Sequence, residues 1–224
     1  MKHIRTCFSA LLAGIAISVS GVAYLSAAQQ SQLVAALLFS VGFLTVLLFE
    51  LHLFTDRIGY LFTGGGKLKK RLASILFVLL GNILGALATG ALLHCVVGEQ
   101  AAEMLSVTTA LPIGEMLVRS IFCGMLMFIS AHGYRRQNGG FAGFVLSIMA
   151  VGTVALCGFE HVIVDIFYAS AALCFDNRTL VLIVISFFGN ILGAIVFSAL
   201  YALKKDDEKG GSHSSRRHHH HHEH

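Results

Sequence analysis

The hexapeptide Gly-Asn-Ile-Leu-Gly-Ala occurs twice, at 81–86 and at 189–194, 108 positions apart and each time inside a long apolar segment. Ala91-Leu92 falls on Ala199-Leu200 at the same spacing, while upstream Gly14, Ser20 and Tyr24 align with Gly124, Ser130 and Tyr134 at a spacing of 110. Such self-similarity describes one helical unit used twice, and duplicated membrane units frame a transport path along their pseudo-symmetry axis. Charge supports a membrane setting. Only 12% of residues are charged, 56% are apolar and the mean hydropathy is +0.77, whereas soluble domains carry about 25% charged residues. Abundant glycine and a single proline suit helices that approach through small residues.

Six apolar segments are expected, near 6–28, 33–63, 72–97, 116–133, 141–174 and 179–203. Four have ordinary lengths for crossing a ~30 Å hydrocarbon core. The second and fifth, at 31 and 34 residues, are too long for one straight span and too short for two. Both carry polar residues in the middle: Glu50, His52, Thr55, Asp56 and Arg57 in one, Glu160, His161 and Asp165 in the other. The reading is a pair of broken helices, which survive at membrane depth only where protein or water satisfies the backbone. The N-terminus imitates a signal peptide, but its apolar run exceeds the usual h-region of about 7–15 residues, so it is read as the first membrane helix.

Loop charges set the orientation. With the N-terminus inside, Lys2, Arg5, Lys67, Lys69, Lys70, Arg71, Arg135, Arg136, Lys204, Lys205 and Lys209 face the cytoplasm, against Arg178 outside. The outside loop at 98–115 is acidic, with Glu99, Glu103 and Glu115. This is a positive-inside pattern. Three helices per unit, an odd number, turn the second copy upside down. The expected architecture is an all-α membrane protein of six transmembrane helices in two inverted three-helix repeats (about 6–97 and 116–203), with helices 2 and 5 broken and both termini cytoplasmic. Residues 1–209 form a single channel domain, and the histidine-rich tail at 210–224 reads as an expression tag. The five cysteines show no metal-ligand spacing, although Cys95 and Cys174 share the outer face in this reading, which leaves a disulfide between them open.

Chemistry concentrates at the breaks. Gly158-Phe159-Glu160-His161 is followed one turn later by Asp165. Ionisable residues inside a membrane mark ion or proton pathways, and histidine changes charge most readily near neutral pH. At the other break Thr55 offers a hydroxyl to a ligand or caps the half-helix after it, with Asp56 and Arg57 expected to pair. Half-helix N-termini meeting at the centre suit a small anion. Asn82 and Asn190, each in Gly-Asn-x-x-Gly, are expected to hold the neighbouring broken loops. Phe43, Leu53, Phe54 and Val154 flank the breaks, where apolar side chains form constrictions or simply pack. No nucleophile–base pair or metal-ligand set stands out, so neither an enzyme nor a cofactor is expected, and nothing points to nucleic acid.

Leu53-Phe54-Thr55, the two Gly-Asn-x-x-Gly helices and Gly-Phe-Glu-His together resemble the formate–nitrite transporter family, of which this is a short, divergent member. The resemblance implies homopentamers in a bacterial inner membrane, built from aquaporin-like protomers. Each protomer would have its own pore for small monovalent anions such as formate, nitrite or hydrosulfide. It places the central histidine on His161, the broken-loop threonine on Thr55 beside Leu53 and Phe54, and the outer constriction on Phe43. The family's asparagine four residues after the histidine is here Asp165, and the asparagine-containing pair on the fourth helix is Cys123-Gly124. The anion-attracting lysine falls on Thr108, leaving Arg119 as the nearest basic residue, and the aromatic constriction before the histidine is Val154.

A bare anion at an apolar constriction meets a desolvation cost of several kcal/mol. Protonation or a hydrogen bond at His161 would lower it, so flux should rise as pH falls. Two rivals stand. One is an aquaporin-type channel for neutral solutes, favoured by the missing lysine and by Asp165. The other is a haem-carrying anchor using His52, His94, His132 or His161.

Overall fold

The computed structural model describes residues 2–218, with side chains from 4 to 205; the whole 210–224 tail therefore falls outside the described side chains. Eight α-helices make up the described chain: α1 (Lys2–Ala28), α2 (Gln32–Leu48), α3 (Phe54–Arg57), α4 (Leu68–Thr109), α5 (Ile113–Arg136), α6 (Phe141–Leu156), α7 (Val162–Ala171) and α8 (Asn177–His218). A 3-10 turn, Ile58–Tyr60, follows α3, and no strand occurs among the described residues. Four stretches are long and apolar enough to cross a membrane: Ile4–Ala28, Leu68–Thr109, Ile113–Arg136 and Asn177–Lys205.

The distribution of side chains inverts that of a water-soluble core. Ser18, Ser20, Ser40, Asn82, Ser120, Ser130, Ser147, Ser186 and Asn190 are buried, whereas Leu84, Leu92, Phe188 and Leu200 lie on the surface, Leu92 at 78% exposure. Small and hydroxylic residues let helices approach closely where apolar contact alone gives no preference for the interior. Buried hydroxyls also need partners, and many donate one turn back along their own helix: Ser18 to the Gly14 carbonyl and Ser120 to Met116, at 2.8 and 2.6 Å.

Helices α1 and α4 pack together, as do α5 and α8. A methyl group on Gly14 would stand 2.9 Å from Cα of Asn82, and one on Gly124 would stand 2.5 Å from Cα of Asn190. Only glycine admits such backbone contact. The Gly-Asn-x-x-Gly strings thus lie against the residues that the 110-position alignment pairs with each other.

Helix α4 runs past the expected boundary at 97. Val97, Gly98, Ala101, Leu105 and Thr108 continue one buried face, so Glu99 and Glu103 ride on a helix and not in a loop. The acidic residues marked the exposed side of that helix, not its end. The chain turns only at Pro112, after which α5 begins. Cys95 and Cys174 are both free, so no disulfide joins them.

Helices α2 and α6 end alike. Beyond α2, the Phe49, Glu50 and Leu51 amides donate to Thr45, Leu47 and Val46 carbonyls at 3.0, 3.3 and 2.9 Å. Beyond α6, Cys157, Gly158 and Phe159 donate to Thr153, Ala155 and Val154 at 2.9, 3.3 and 2.9 Å. Every donor and acceptor in the second set lies 108 positions after its counterpart. This is a glycine-type helix stop, with one residue in the left-handed region: Gly158 at φ 63° and, unusually, Glu50 at φ 53°.

Candidate functional site

Each helix stop delivers an extended residue that caps the next short helix. Leu53 (φ −107°, ψ 136°) precedes α3, and His161 (φ −111°, ψ 118°) precedes α7. Neither side chain caps the helix that follows, so an asparagine from elsewhere completes the turn. Asn82 Oδ1 accepts from the Phe54 amide at 2.8 Å, while its Nδ2 donates to the Ala10 and His52 carbonyls at 2.7 and 2.9 Å. Asn190 Oδ1 accepts from Val162 at 3.0 Å, and its Nδ2 donates to Ser120 and Glu160 at 2.9 and 2.8 Å. Both amides use the carbonyl oxygen once and the amino group twice.

The first turn of α3 meets the residue before α7 side chain to side chain. His161 Nε2 lies 3.0 Å from Thr55 Oγ1. Thr55 is fully buried and His161 is 2% exposed, and Nδ1 of His161 has no hydrogen-bond partner. Thr55 caps nothing; its hydroxyl is committed to the imidazole. Around this contact Leu53, Phe54, Phe43 and Val154 are each 0–1% exposed, and Phe54 stacks on Phe187 with ring centroids 5.5 Å apart.

Two cavities carry residues of the two helix stops, and His161 lines one of them. One, of about 210 Å³, is lined by His161, Glu160, Asp165, Val154, Arg119 and Tyr24, among others. The other, of about 660 Å³, is lined by Val46, Glu50, His52, Arg57, Tyr134 and Arg135 among others. Val46 and Val154, and Arg57 and Asp165, are 108 positions apart, and Tyr24 and Tyr134 are 110 apart. The cavities therefore carry matching positions, one of which is basic in one cavity (Arg57) and acidic in the other (Asp165). Thr55, Leu53, Phe54, Phe43, Asn82 and Asn190 line neither cavity; Phe39, one turn from Phe43, lines the first, as does Thr108.

Charges around the cavities are already engaged. Arg119 donates twice to Glu115, at 2.6 and 3.0 Å, and once to the Gly158 carbonyl at 3.1 Å. Asp56 is fully buried and pairs with the neighbouring Arg57, whose Nε stands 3.9 Å from Oδ1, and more closely with Arg135, whose Nη2 lies 2.5 Å from Oδ2. Three other histidines are likewise occupied: His52 Nδ1 with Ser9 at 2.5 Å, His94 Nδ1 with the Ala171 carbonyl at 2.7 Å, and His132 Nδ1 with the Tyr60 hydroxyl at 2.8 Å. Sequence reasoning missed the Arg135–Asp56 pair and the lining role of Tyr168. Tyr24 and Tyr134 had left a trace, as aligned residues of the two halves.

The model of the formate/nitrite transporter family matches residues 1–204. The chain belongs to the formate/nitrite transporter family. That makes it kin to channels and transporters rather than enzymes, and the apolar helices above are those of an integral membrane protein. Solved structures share the fold. A pentameric formate channel with formate bound superposes with a TM-score of 0.75 at 17% identity, over 90% of this chain and 96% of that one. An FNT family ion channel superposes at 0.79 with 15% identity, over 90% of each chain. No curated protein matches the sequence. Within this transporter family fold, Thr55 of α3 and His161, the residue before α7, meet at 3.0 Å.

Proposed function

We propose that this family member is a channel for small monovalent weak-acid anions, formate, nitrite or hydrosulfide among them, with the substrate held or protonated at His161. The observation that carries the reading is the buried His161–Thr55 contact, with His161 lining one of the two cavities. In this reading residues 1–209 are one domain of six spans in two inverted three-helix repeats. The intervals after α2 and α6 break the second and fifth spans, giving an aquaporin-like protomer. The protomers assemble as a homopentamer in the bilayer of a bacterial inner membrane, termini inside, in line with the pentameric formate channel of the same fold. The His161 cavity is then the outer vestibule and the Arg57 cavity the inner one.

The centre works by replacing hydration. Leu53, Phe54, Phe43 and Val154 close the path with apolar side chains, where a bare anion meets a cost of several kcal/mol. His161 and Thr55 supply hydrogen bonds at that point, Asn82 and Asn190 fix the loops, and Arg119 draws anions into the outer vestibule. Reconstituted protein should take up formate, nitrite and hydrosulfide, faster toward the acid end of about pH 5 to 8. His161→Ala should remove most of that flux or its anion selectivity. Anion uptake in His161→Ala equal to wild type at every pH would sink the role of the histidine. The second reading is a channel for neutral solutes, favoured by the carboxyl groups of Glu160 and Asp165 in the outer vestibule; glycerol uptake without anion uptake would select it.

A further inference from the structure

Leu68, Leu72, Leu76, Leu80 and Leu84 recur every fourth residue along α4, and each is 43–60% exposed. Such spacing draws one ridge up a helix, so the five leucines make a continuous apolar stripe on the outside of the protomer. Helix α8 carries the counterpart 108 positions on: Leu180, Val184, Phe188 and Leu192 are 46–60% exposed. The two ridges differ at their feet.

At the foot of α4, Lys67, Lys69 and Lys70 flank Leu68 and are all exposed. None of the three has a carboxylate within ion-pair reach among the described residues. Arg71 is used differently: it donates to the Gly64 and Gly66 carbonyls and so fixes the turn that presents the lysines. A methyl group added at Gly65 or Gly66 would meet nothing within 4 Å, so this turn stands clear of the rest of the chain. The lysines also oppose the positive end of the helix dipole, and α4 has neither an acidic residue in its first turn nor a side-chain cap. At the foot of α8 the corresponding charges are matched from within. Asp176 Oδ1 accepts from the Thr179 amide at 2.8 Å, and Arg178 donates to the Thr109 and Leu111 carbonyls at 3.0 and 3.1 Å. A positive-inside bias places cations on one side of a bilayer, but it does not gather three unmatched ones below one ridge and leave none below its counterpart.

We propose that the foot of α4 docks an anionic phospholipid, its headgroup phosphate among Lys67, Lys69 and Lys70 and its acyl chains along the Leu68–Leu84 ridge. The pairing of charge with apolar surface decides the occupant. A free phosphate satisfies the lysines and leaves the ridge bare, whereas a zwitterionic lipid covers the ridge and brings no net negative charge. An anionic lipid does both. Each lysine near a membrane surface strengthens the attraction to anionic lipid by about fivefold, and three in one turn concentrate that attraction at a single place. In the orientation proposed above the lipid comes from the inner leaflet, and the site is independent of what the channel carries. Because the Gly64 amide donates to the Tyr60 carbonyl at 2.9 Å, a lipid held here also braces the turn that leads from Thr55 to α4.

The chain contains no tryptophan, which allows a direct test on the full-length protein. Leu76→Trp puts a sole fluorophore on the ridge, about 10 Å along α4 from Lys69 at 1.5 Å per residue, and Val184→Trp puts one at the matching point of α8. In proteoliposomes, phosphatidylglycerol with brominated chains should quench Leu76→Trp more strongly than brominated phosphatidylcholine at the same mole fraction. Adding Lys67→Gln, Lys69→Gln or Lys70→Gln should cut that preference by up to about fivefold each, and the triple variant should abolish it. Val184→Trp should be quenched equally by the two lipids. If Leu76→Trp does not fold, Leu80→Trp gives the same reading one turn on. Equal quenching of the α4 tryptophan by both lipids, or a preference that survives the triple variant, would overturn the proposal. So would the same preference at Val184→Trp, which would reduce it to bulk charge, and so would an α4 tryptophan that neither lipid quenches, because a second copy of the chain would then cover the ridge.

Discussion

Leu53 and His161 hold the same place in the two halves of the chain. Each is extended, each follows the same three-bond helix stop, and each precedes a helix whose first amide is held by an asparagine 28 residues later. The side chains differ completely: an aliphatic group against an imidazole, and four residues further on Arg57 against Asp165. The stop and the asparagine clamp bind only backbone atoms, so they tolerate any side chain that faces the cavity. A duplicated loop can then keep its shape while one copy acquires the acid–base groups and the other the cations.

The sharpest way to break this comparison is to remove the clamps. Asn82→Ala and Asn190→Ala each strand three buried backbone groups, at about 1–3 kcal/mol per group. Losses of about 3 kcal/mol or more are expected, similar in the two variants. Thermal unfolding in one detergent would read both, and a large inequality would mean that one clamp is not structural. Next is a feature found in one half alone. Arg135→Ala leaves the buried Asp56 with the distant Arg57 as its cation. Breaking a fully buried pair costs about 3–5 kcal/mol, and because Arg135 is 41% exposed about 2 kcal/mol is expected; an unchanged melting temperature would show Asp56 to be uncharged. Smallest and of opposite sign are substitutions at the stop itself. Glu50→Gly should stabilise by about 1 kcal/mol, because a side chain in the left-handed region costs about that much. Gly158→Ala should destabilise, its new methyl standing 2.8 Å from the Arg119 guanidinium. If both shift stability the same way, the two stops are not equivalent.

The apolar helical character and the family were legible because they depend on composition and on short strings. His161, Thr55, Glu160 and Asp165 could be singled out because polar residues in an apolar segment stand out by contrast. Partners were another matter. Arg135 lies 79 residues from Asp56, and nothing in either neighbourhood specifies that α5 brings them together; the adjacent Arg57 was the natural choice on distance along the chain. Helix α4 was underestimated because Glu99 and Glu103 lower the local hydropathy, although the buried face through Val97, Ala101 and Leu105 runs on beneath them. Arg119 was legible as a cation near the site, but not the Glu115 and Gly158 contacts that hold its guanidinium.

The clamps also carry a consequence for synthesis. A chain made from its N-terminus meets Ala10 and His52 before Asn82 can join them, so the first loop is fixed only once α4 has been laid down. The loop bearing His161 waits longer, because Ser120 and Glu160 are fastened together by a residue of the last helix. The half that bears His161 is therefore the last to have its loop fastened, and a nascent chain interrupted before α8 has a wall of helices but leaves the Ser120 and Glu160 carbonyls unclamped.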